Sequence, residues 1–318
     1  MKIVVLDGHA ANPGDLSWKP LERLGEVVVY DRTRPEELIG RTADADAVLT
    51  NKVFFGEEEL KQLPRLRYIG ILATGTNSVD IKAACRHGVT VTNIPAYSTD
   101  SVAQQVFAHI LNVLNRVDKY ADDNRKGRWS ANPDFCYWDM QIRELASMKM
   151  GVVGLGNIGK KVAQIALAFG MEVYAVTSKA ENELPEGVKK CCLDALLRSC
   201  DVISLHCPLT PDTREMINRD TLALMQPGAI LVNTGRGPLV NEADVAEALR
   251  KGGIAAYATD VMCQEPPEAD NPLFGCSNAF VTPHMAWGTI EARRRLMDIA
   301  LNNVLAFADG NPINTVKE

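Results

Sequence analysis

A chain of 318 residues is long enough for about two domains of ordinary size. Its 46% hydrophobic and 23% charged residues are typical of a soluble globular protein, and a net charge of −6 argues against nucleic acid as a partner. Residues 1–8 read as a strand rather than a targeting signal, and no apolar run approaches the ~18 residues of a membrane span, so a cytoplasmic protein with no membrane partner is expected.

Short apolar runs at 2–7, 26–30, 47–50, 67–72 and 89–93 alternate with helix-like segments. This alternation predicts a first parallel α/β unit extending to about Pro95. An amphipathic stretch at 101–111 follows, with Ser98, Thr99 or Asp100 available as caps, and leads toward a second domain.

Next comes the apolar run 150–153, and directly after it Gly154-Leu155-Gly156-Asn157-Ile158-Gly159. In such a fingerprint the first glycine permits a tight strand-to-helix turn, and the second lets backbone amides approach a pyrophosphate. The third lets the helix pack closely on the strand. A lone fingerprint is weak evidence, but here 161–170 has helical apolar spacing ending in a glycine, and 171–176 reads as a second strand. The order strand, fingerprint, helix, strand predicts dinucleotide binding.

Further strands are expected at 201–206, 229–233, 255–260 and 279–282, completing a doubly wound sheet. The closing helical pattern at 291–308, with Leu296, Ile299, Ala300, Val304 and Phe307, is expected to return to the first domain. The predicted organisation is α/β throughout. A dinucleotide-binding Rossmann domain at 99–286 is inserted into a flavodoxin-like, discontinuous substrate-binding domain formed by 1–98 and 287–318.

The eight cysteines are scattered without a CxxC pair and read as reduced thiols; the vicinal Cys191-Cys192 is open to a redox role or to simple packing. The five histidines lack metal-ligand spacing, so no metal is expected.

Ligands of a doubly wound sheet bind beyond the carboxyl ends of its strands. Beyond the predicted strands lie Asn233-Thr234-Gly235-Arg236-Gly237, then Asp260 and Glu265, then Pro283-His284. A guanidinium holds carboxylate and carbonyl oxygens bidentately at any working pH, which makes Arg236 a candidate substrate anchor. Imidazole suits the proton that must follow a hydride onto a carbonyl, which points to His284. A carboxylate beside it favours imidazolium, the role open to Glu265, while Asp260 could orient the nicotinamide amide or ribose.

These segments, together with His206-Cys207-Pro208-Leu209-Thr210, resemble the D-isomer-specific 2-hydroxyacid dehydrogenases over essentially the whole chain. Residues 12–18, Thr50-Asn51-Lys52, 73–77 and His284-Met285-Ala286-Trp287 are similar to the glycerate dehydrogenase, or hydroxypyruvate reductase, branch. The resemblance implies hydride transfer between NAD or NADP and a small 2-oxo acid or D-2-hydroxy acid such as hydroxypyruvate, glyoxylate, D-glycerate or glycolate. It also implies Arg236 as anchor, Glu265 as histidine partner and His284 as proton donor. It adds Lys52 and the Thr74-Gly75 amides on the substrate, and His206, Cys207, Pro208, Thr213, Thr234 and Gly235 on the cofactor. Family members dimerise through the nucleotide domain, and in related reductases a tryptophan reaches the neighbouring site. Trp138 is the candidate here, as a substrate contact or as interface packing. The family's formate dehydrogenases carry glutamine where Glu265 stands, so an acid favours 2-oxo acid reduction.

One departure concerns the cofactor. An acid usually follows the second strand and binds the ribose hydroxyls, whereas this chain has Thr177-Ser178-Lys179 there. Lys179 could attract a 2′-phosphate or remain a solvated surface charge, so both NAD and NADP stay open. A second reading, a dinucleotide-sensing corepressor-like binding protein, uses the same fold.

Overall fold

The computed structural model describes residues 1–317, so the expected domain end at Glu318 lies outside the described residues. The chain divides into two compact units, Met1–Ser98 with the segment from Trp287 onward, and Thr99–Ala286.

In the first unit, runs of valine, isoleucine and leucine form β1 (Lys2–Val5), β2 (Glu26–Val29), β3 (Ala47–Thr50), β4 (Tyr68–Ile71) and β5 (Thr90–Thr92). The order is β2-β1-β3-β4-β5, and every pairing is parallel. β3 and β4 are buried on both faces, which is why they read as continuous apolar runs rather than alternating ones. Short helices α1 (Leu38–Thr42), α2 (Glu57–Lys61) and α3 (Ile81–Arg86) make the connections.

The second unit opens with α4 (Thr99–Asn115) and α5 (Val117–Arg125). It continues through β6 (Lys149–Val153), α6 (Asn157–Ala168), β7 (Glu172–Val176), β8 (Val188–Lys190), α7 (Leu193–Ser199) and β9 (Val202–Leu205). The remaining elements are α8 (Arg219–Leu222), β10 (Ile230–Asn233), α9 (Glu242–Lys251), β11 (Ala256–Thr259) and β12 (Ala279–Val281). All seven strands are parallel in the order β12-β11-β10-β9-β6-β7-β8, so the chain reverses direction across the sheet at β6. Val106, Ile110, Val162 and Ala166 from α4 and α6 fill one face of this sheet, and Leu196, Leu222, Val245 and Leu249 from α7, α8 and α9 fill the other.

The last helix, α10 (Ile290–Ala308), belongs to the first unit. Its stripe of Ala292, Leu296, Ala300 and Val304 packs with Ile3, Val5, Leu49 and Tyr68. The α/β fold class, with two parallel sheets each in its own unit, is therefore the observed one.

Two elements escaped the apolar-run reading. β8 has one buried residue, Val188, followed by two exposed lysines, and presents no apolar run. α5 buries no residue at all, so no hydrophobic spacing marks it. Lys119 pairs with Asp123 one turn along α5 and with Asp139 of the following segment, and Arg128 also pairs with Asp139.

Candidate active site

The fingerprint turns between β6 and α6. Gly154 has φ +96°, and a Cβ there would lie 2.5 Å from the Cys207 amide nitrogen. A Cβ on Gly159 would lie 2.0 Å from the Gly154 carbonyl oxygen, so the first turn of α6 rests directly on the strand end. Gly156 is different, since a Cβ there would meet nothing within 4 Å. It caps α6 without any side-chain hydrogen bond, leaving the amides of the first turn, from Asn157 and Ile158 onward, facing outward with the positive end of the helix dipole. That open amide cradle fits a pyrophosphate.

At the tip of β7, Thr177 Oγ1 accepts from the Lys179 amide at 3.2 Å, making a tight polar turn at the place where an acid usually stands. A residue that sequence reasoning missed joins it. Lys190, at the end of β8, donates its ammonium to the Lys179 carbonyl. The edge strand thus brings a second cation to the same loop.

Beyond β9, His206 Nε2 is 2.8 Å from Ser204 Oγ, and burial pushes its imidazole down to about 4. The residue as a whole is half-buried. Burial raises the neighbouring Cys207 thiol. Thr213 donates to the Pro208 carbonyl at 2.7 Å and accepts from the Thr210 amide at 2.8 Å, closing the 207–213 loop on itself.

Beyond β10, the buried Asn233 side chain shapes the next loop. Its Oδ1 accepts from the Gly235 amide at 3.0 Å, and its Nδ2 donates to the Arg236 carbonyl at 2.9 Å. Thr234 is buried, and its hydroxyl has no hydrogen-bond partner among the described residues, as befits a group waiting for a ligand. With the open Gly156 cradle, this orphaned hydroxyl shows that the residues fit a dinucleotide. A Cβ on Gly237 would lie 2.0 Å from the Met262 carbonyl carbon, which packs this loop against the one after β11. Arg236 is exposed and donates only within its own loop, to the Gly235 carbonyl at 2.8 Å.

The loops after β11 and β12 meet. Glu265 Oε1 accepts from the Met262 amide at 3.0 Å, while Oε2 lies 2.7 Å from His284 Nδ1. An ionised carboxylate only accepts, so Nδ1 carries a hydrogen and Nε2 is the nitrogen left for exchange. His284 has φ +51°, a left-handed conformation uncommon outside glycine. Buried Asp260 accepts from Thr282 Oγ1 at 2.6 Å and from the amides of Met285 and Ala286 at 2.9 and 2.8 Å. Its expected role toward nicotinamide is thus joined by a task within the chain, clamping the loop that carries His284. Glu242, another residue missed from sequence, accepts from the Cys263 amide at 2.6 Å and from Asn271 Nδ2 at 2.7 Å, bracketing the Glu265 loop.

In the first unit, Lys52 is exposed after β3, and its amide donates to Asp7 Oδ2 at 2.6 Å. Asp7 Oδ1 takes the Asn51 amide at 2.8 Å. Thr74 and Gly75 follow β4; the Thr74 hydroxyl donates to the Ile94 carbonyl at 2.8 Å, and Asn93 Nδ2 donates to the Thr74 carbonyl at 2.8 Å. In the second unit, Trp138 is 63% exposed. Among the described residues no helix is long and apolar enough to cross a membrane.

The family model for the D-isomer-specific 2-hydroxyacid dehydrogenase NAD-binding domain matches residues 107–286. Hydroxypyruvate reductase of Blautia hydrogenotrophica is 45% identical over 322 residues, covering 100% of both chains. Glycerate dehydrogenase of Methylorubrum extorquens is 38% identical over 319 residues, covering 99% of both. Among solved structures, D-lactate dehydrogenase with NAD+ from Lactobacillus jensenii is similar with a TM-score of 0.82 at 30% identity, covering 100% of both chains. An acyclic imino acid reductase in complex with NADPH and D-Arg reaches 0.87 at 28% identity, with the same coverage. These likenesses favour an enzyme over the corepressor-like alternative. The chain belongs to the D-isomer-specific 2-hydroxyacid dehydrogenase family and is an NAD(P)-dependent oxidoreductase of 2-hydroxy acids.

Proposed function

We propose that this enzyme reduces hydroxypyruvate to D-glycerate, with glyoxylate as a smaller alternative substrate. The observation that carries the reading is the 2.7 Å contact between His284 Nδ1 and Glu265 Oε2, held at the carboxyl end of a dinucleotide-binding sheet. A bound reduced nicotinamide supplies a hydride to the carbonyl carbon. His284, held at Nδ1 by Glu265, gives an Nε2 proton to the carbonyl oxygen, which becomes the hydroxyl of the product. The imidazole that remains keeps its Nδ1 hydrogen on Glu265, and solvent restores the lost proton. Arg236 holds the substrate carboxylate and polarises the carbonyl through its planar fork of donors. Lys52 and the Thr74-Gly75 amides are further candidate contacts of the substrate, and Asp260, Thr234 and Gly235 orient the nicotinamide end. Gly154, Gly156, Asn157, Ile158 and Gly159 hold the pyrophosphate, with His206, Cys207, Pro208 and Thr213 lining the cofactor's other side.

For the cofactor, Thr177, Ser178 and Lys179 supply hydroxyls and a cation where an acid would repel a 2′-phosphate, and Lys190 adds a second cation. This supports NADPH as the preferred reductant. A homodimer built on the second unit is supported by exposed aromatic side chains following α5: Trp129, Phe135 at 90% exposure, and Trp138. In that assembly Trp138 serves the neighbouring site. The eight free cysteines are consistent with a reducing, cytoplasmic location.

Steady-state reduction of hydroxypyruvate, glyoxylate and pyruvate with each cofactor tests the reading. Hydroxypyruvate should give the highest kcat/KM, and a clear preference for pyruvate would overturn the substrate assignment. Sedimentation of the wild type and Trp138→Ala tests the dimer and the tryptophan separately: a monomeric wild type overturns the first, and full activity of the variant overturns the second.

A further inference from the structure

Helix α4 turns a polar stripe toward the loop that carries His284. Ser101, Gln105 and His109 recur every fourth residue and therefore stack on one side of the helix. Ser101 Oγ donates to the Ala286 carbonyl. Gln105 Nε2 lies 3.4 Å, and His109 Nε2 3.2 Å, from the single hydroxyl of Thr282.

That hydroxyl has one hydrogen to give. Asp260 Oδ1, at 2.6 Å, is its shortest and only anionic partner, so the hydrogen goes there. The Thr282 oxygen is left as an acceptor, facing His109 Nε2 and Gln105 Nε2, and the Gln105 nitrogen also lies 3.3 Å from His109 Nε2. The imidazole is buried, and desolvation lowers its proton affinity against the opposing pull of Asp260, which keeps it neutral. With its hydrogen on Nε2, the neutral ring donates to Thr282. The chain of bonds then runs from His109 to Thr282, to Asp260, and on to the amides of Met285 and Ala286. Those two amides follow His284, whose left-handed backbone needs to be held from outside.

We propose that His109 is a positioning residue: its Nε2 hydrogen holds the Thr282 oxygen in place while the Thr282 hydrogen goes to Asp260, and this keeps Asp260 on the two amides that fix His284. The functional part rests on His284 being the proton donor. His109 touches no reacting atom, and its effect travels only through Thr282 and Asp260.

The test compares His109→Met, which keeps bulk without a donor, with His109→Gln, whose amide nitrogen retains one. Hydrogen exchange at the Met285 and Ala286 amides is followed in the full chain, with and without saturating NADPH, alongside kcat and KM for hydroxypyruvate. His109→Met should speed exchange at both amides and lower kcat by roughly 10–100-fold with KM little changed, as expected for a misplaced proton donor. His109→Gln should restore both measurements. Unchanged exchange in the methionine variant, or a glutamine variant as impaired as methionine, overturns the proposal. Faster exchange with unaltered kcat supports the anchor and overturns the role given to His284 instead. Should the methionine variant fail to fold, Thr282→Val cuts the same chain of bonds at its middle. It should reproduce the pattern in a background where His109→Gln adds nothing further, and an additive loss overturns the proposal.

Discussion

Glu265 gives one carboxylate oxygen to the Met262 amide and the other to His284 Nδ1, so the acid is anchored before it orients the base. A glutamine in its place has one acceptor oxygen instead of two and no charge, so it can keep only one of these two contacts. We therefore expect His284→Ala to lower kcat by roughly 10²–10⁴-fold, the usual worth of a positioned proton donor. Glu265→Gln should cost less, because it loosens the hold on His284 Nδ1 without removing the proton donor itself. Both variants should bind the dinucleotide as tightly as the wild type in fluorescence titration. Near-normal turnover of His284→Ala would remove the histidine from the reaction.

The strands and the residues just beyond them were legible because parallel strands buried on both faces leave apolar runs, and ligand sites sit where those runs stop. Arg236, Asp260, Glu265 and His284 were found that way. What sequence did not reveal was where each polar group spends its hydrogen bonds. Asp260 is expected to contact the cofactor, and nothing in the sequence shows that both its oxygens also hold the His284 loop. His109 sat inside an amphipathic helix and gave no sign of facing Thr282, since the partner lies 173 residues away. Lys190 was hidden for a related reason: a three-residue edge strand with one buried side chain has no period to detect.

Lys190 and Lys179 make the cofactor preference testable. A lysine that meets a phosphate contributes a charge-assisted bond worth about 1.5–3 kcal/mol, or tenfold and more in affinity. Lys190→Ala and Lys179→Ala should each weaken NADPH by at least about tenfold while leaving NADH nearly unchanged. Ser178→Asp should reverse the preference by repelling the 2′-phosphate and accepting from ribose hydroxyls. If both lysine variants weaken the two cofactors equally, these cations do not read the 2′ position.

The fingerprint glycines separate stability from binding. Gly159 has the Gly154 carbonyl oxygen 2.0 Å from where a Cβ would stand, so Gly159→Ala must lift α6 off the strand end. We expect a loss of about 1–3 kcal/mol or more in denaturant unfolding, with dinucleotide binding lost as well. Gly156 has open space around that position, so Gly156→Ala should fold with nearly wild-type stability. Its methyl group would stand over the amide cradle, and affinity for NADH and NADPH should fall together. Equal stability losses in the two variants would mean that Gly156 is there for the turn rather than the ligand.

His206 predicts how the apo-enzyme responds to acid. Its imidazole is held near 4 in the folded chain, whereas an unfolded histidine titrates near the ordinary 6.5. Between those values the unfolded chain binds a proton that the folded chain does not, so stability falls as pH drops from about 6.5 to about 4 and levels off below. The shift sets an upper bound of about 3 kcal/mol, and the partial exposure of the residue reduces it. His206→Asn keeps a polar group near Ser204 but cannot titrate. Its urea midpoint should lie below that of the wild type at pH 8, and the gap should narrow or invert by pH 5. Buried His109, shifted the same way, remains in both proteins and cancels from the comparison. Parallel midpoint curves for the two proteins from pH 8 to pH 4 would show that His206 is solvated in the folded chain after all.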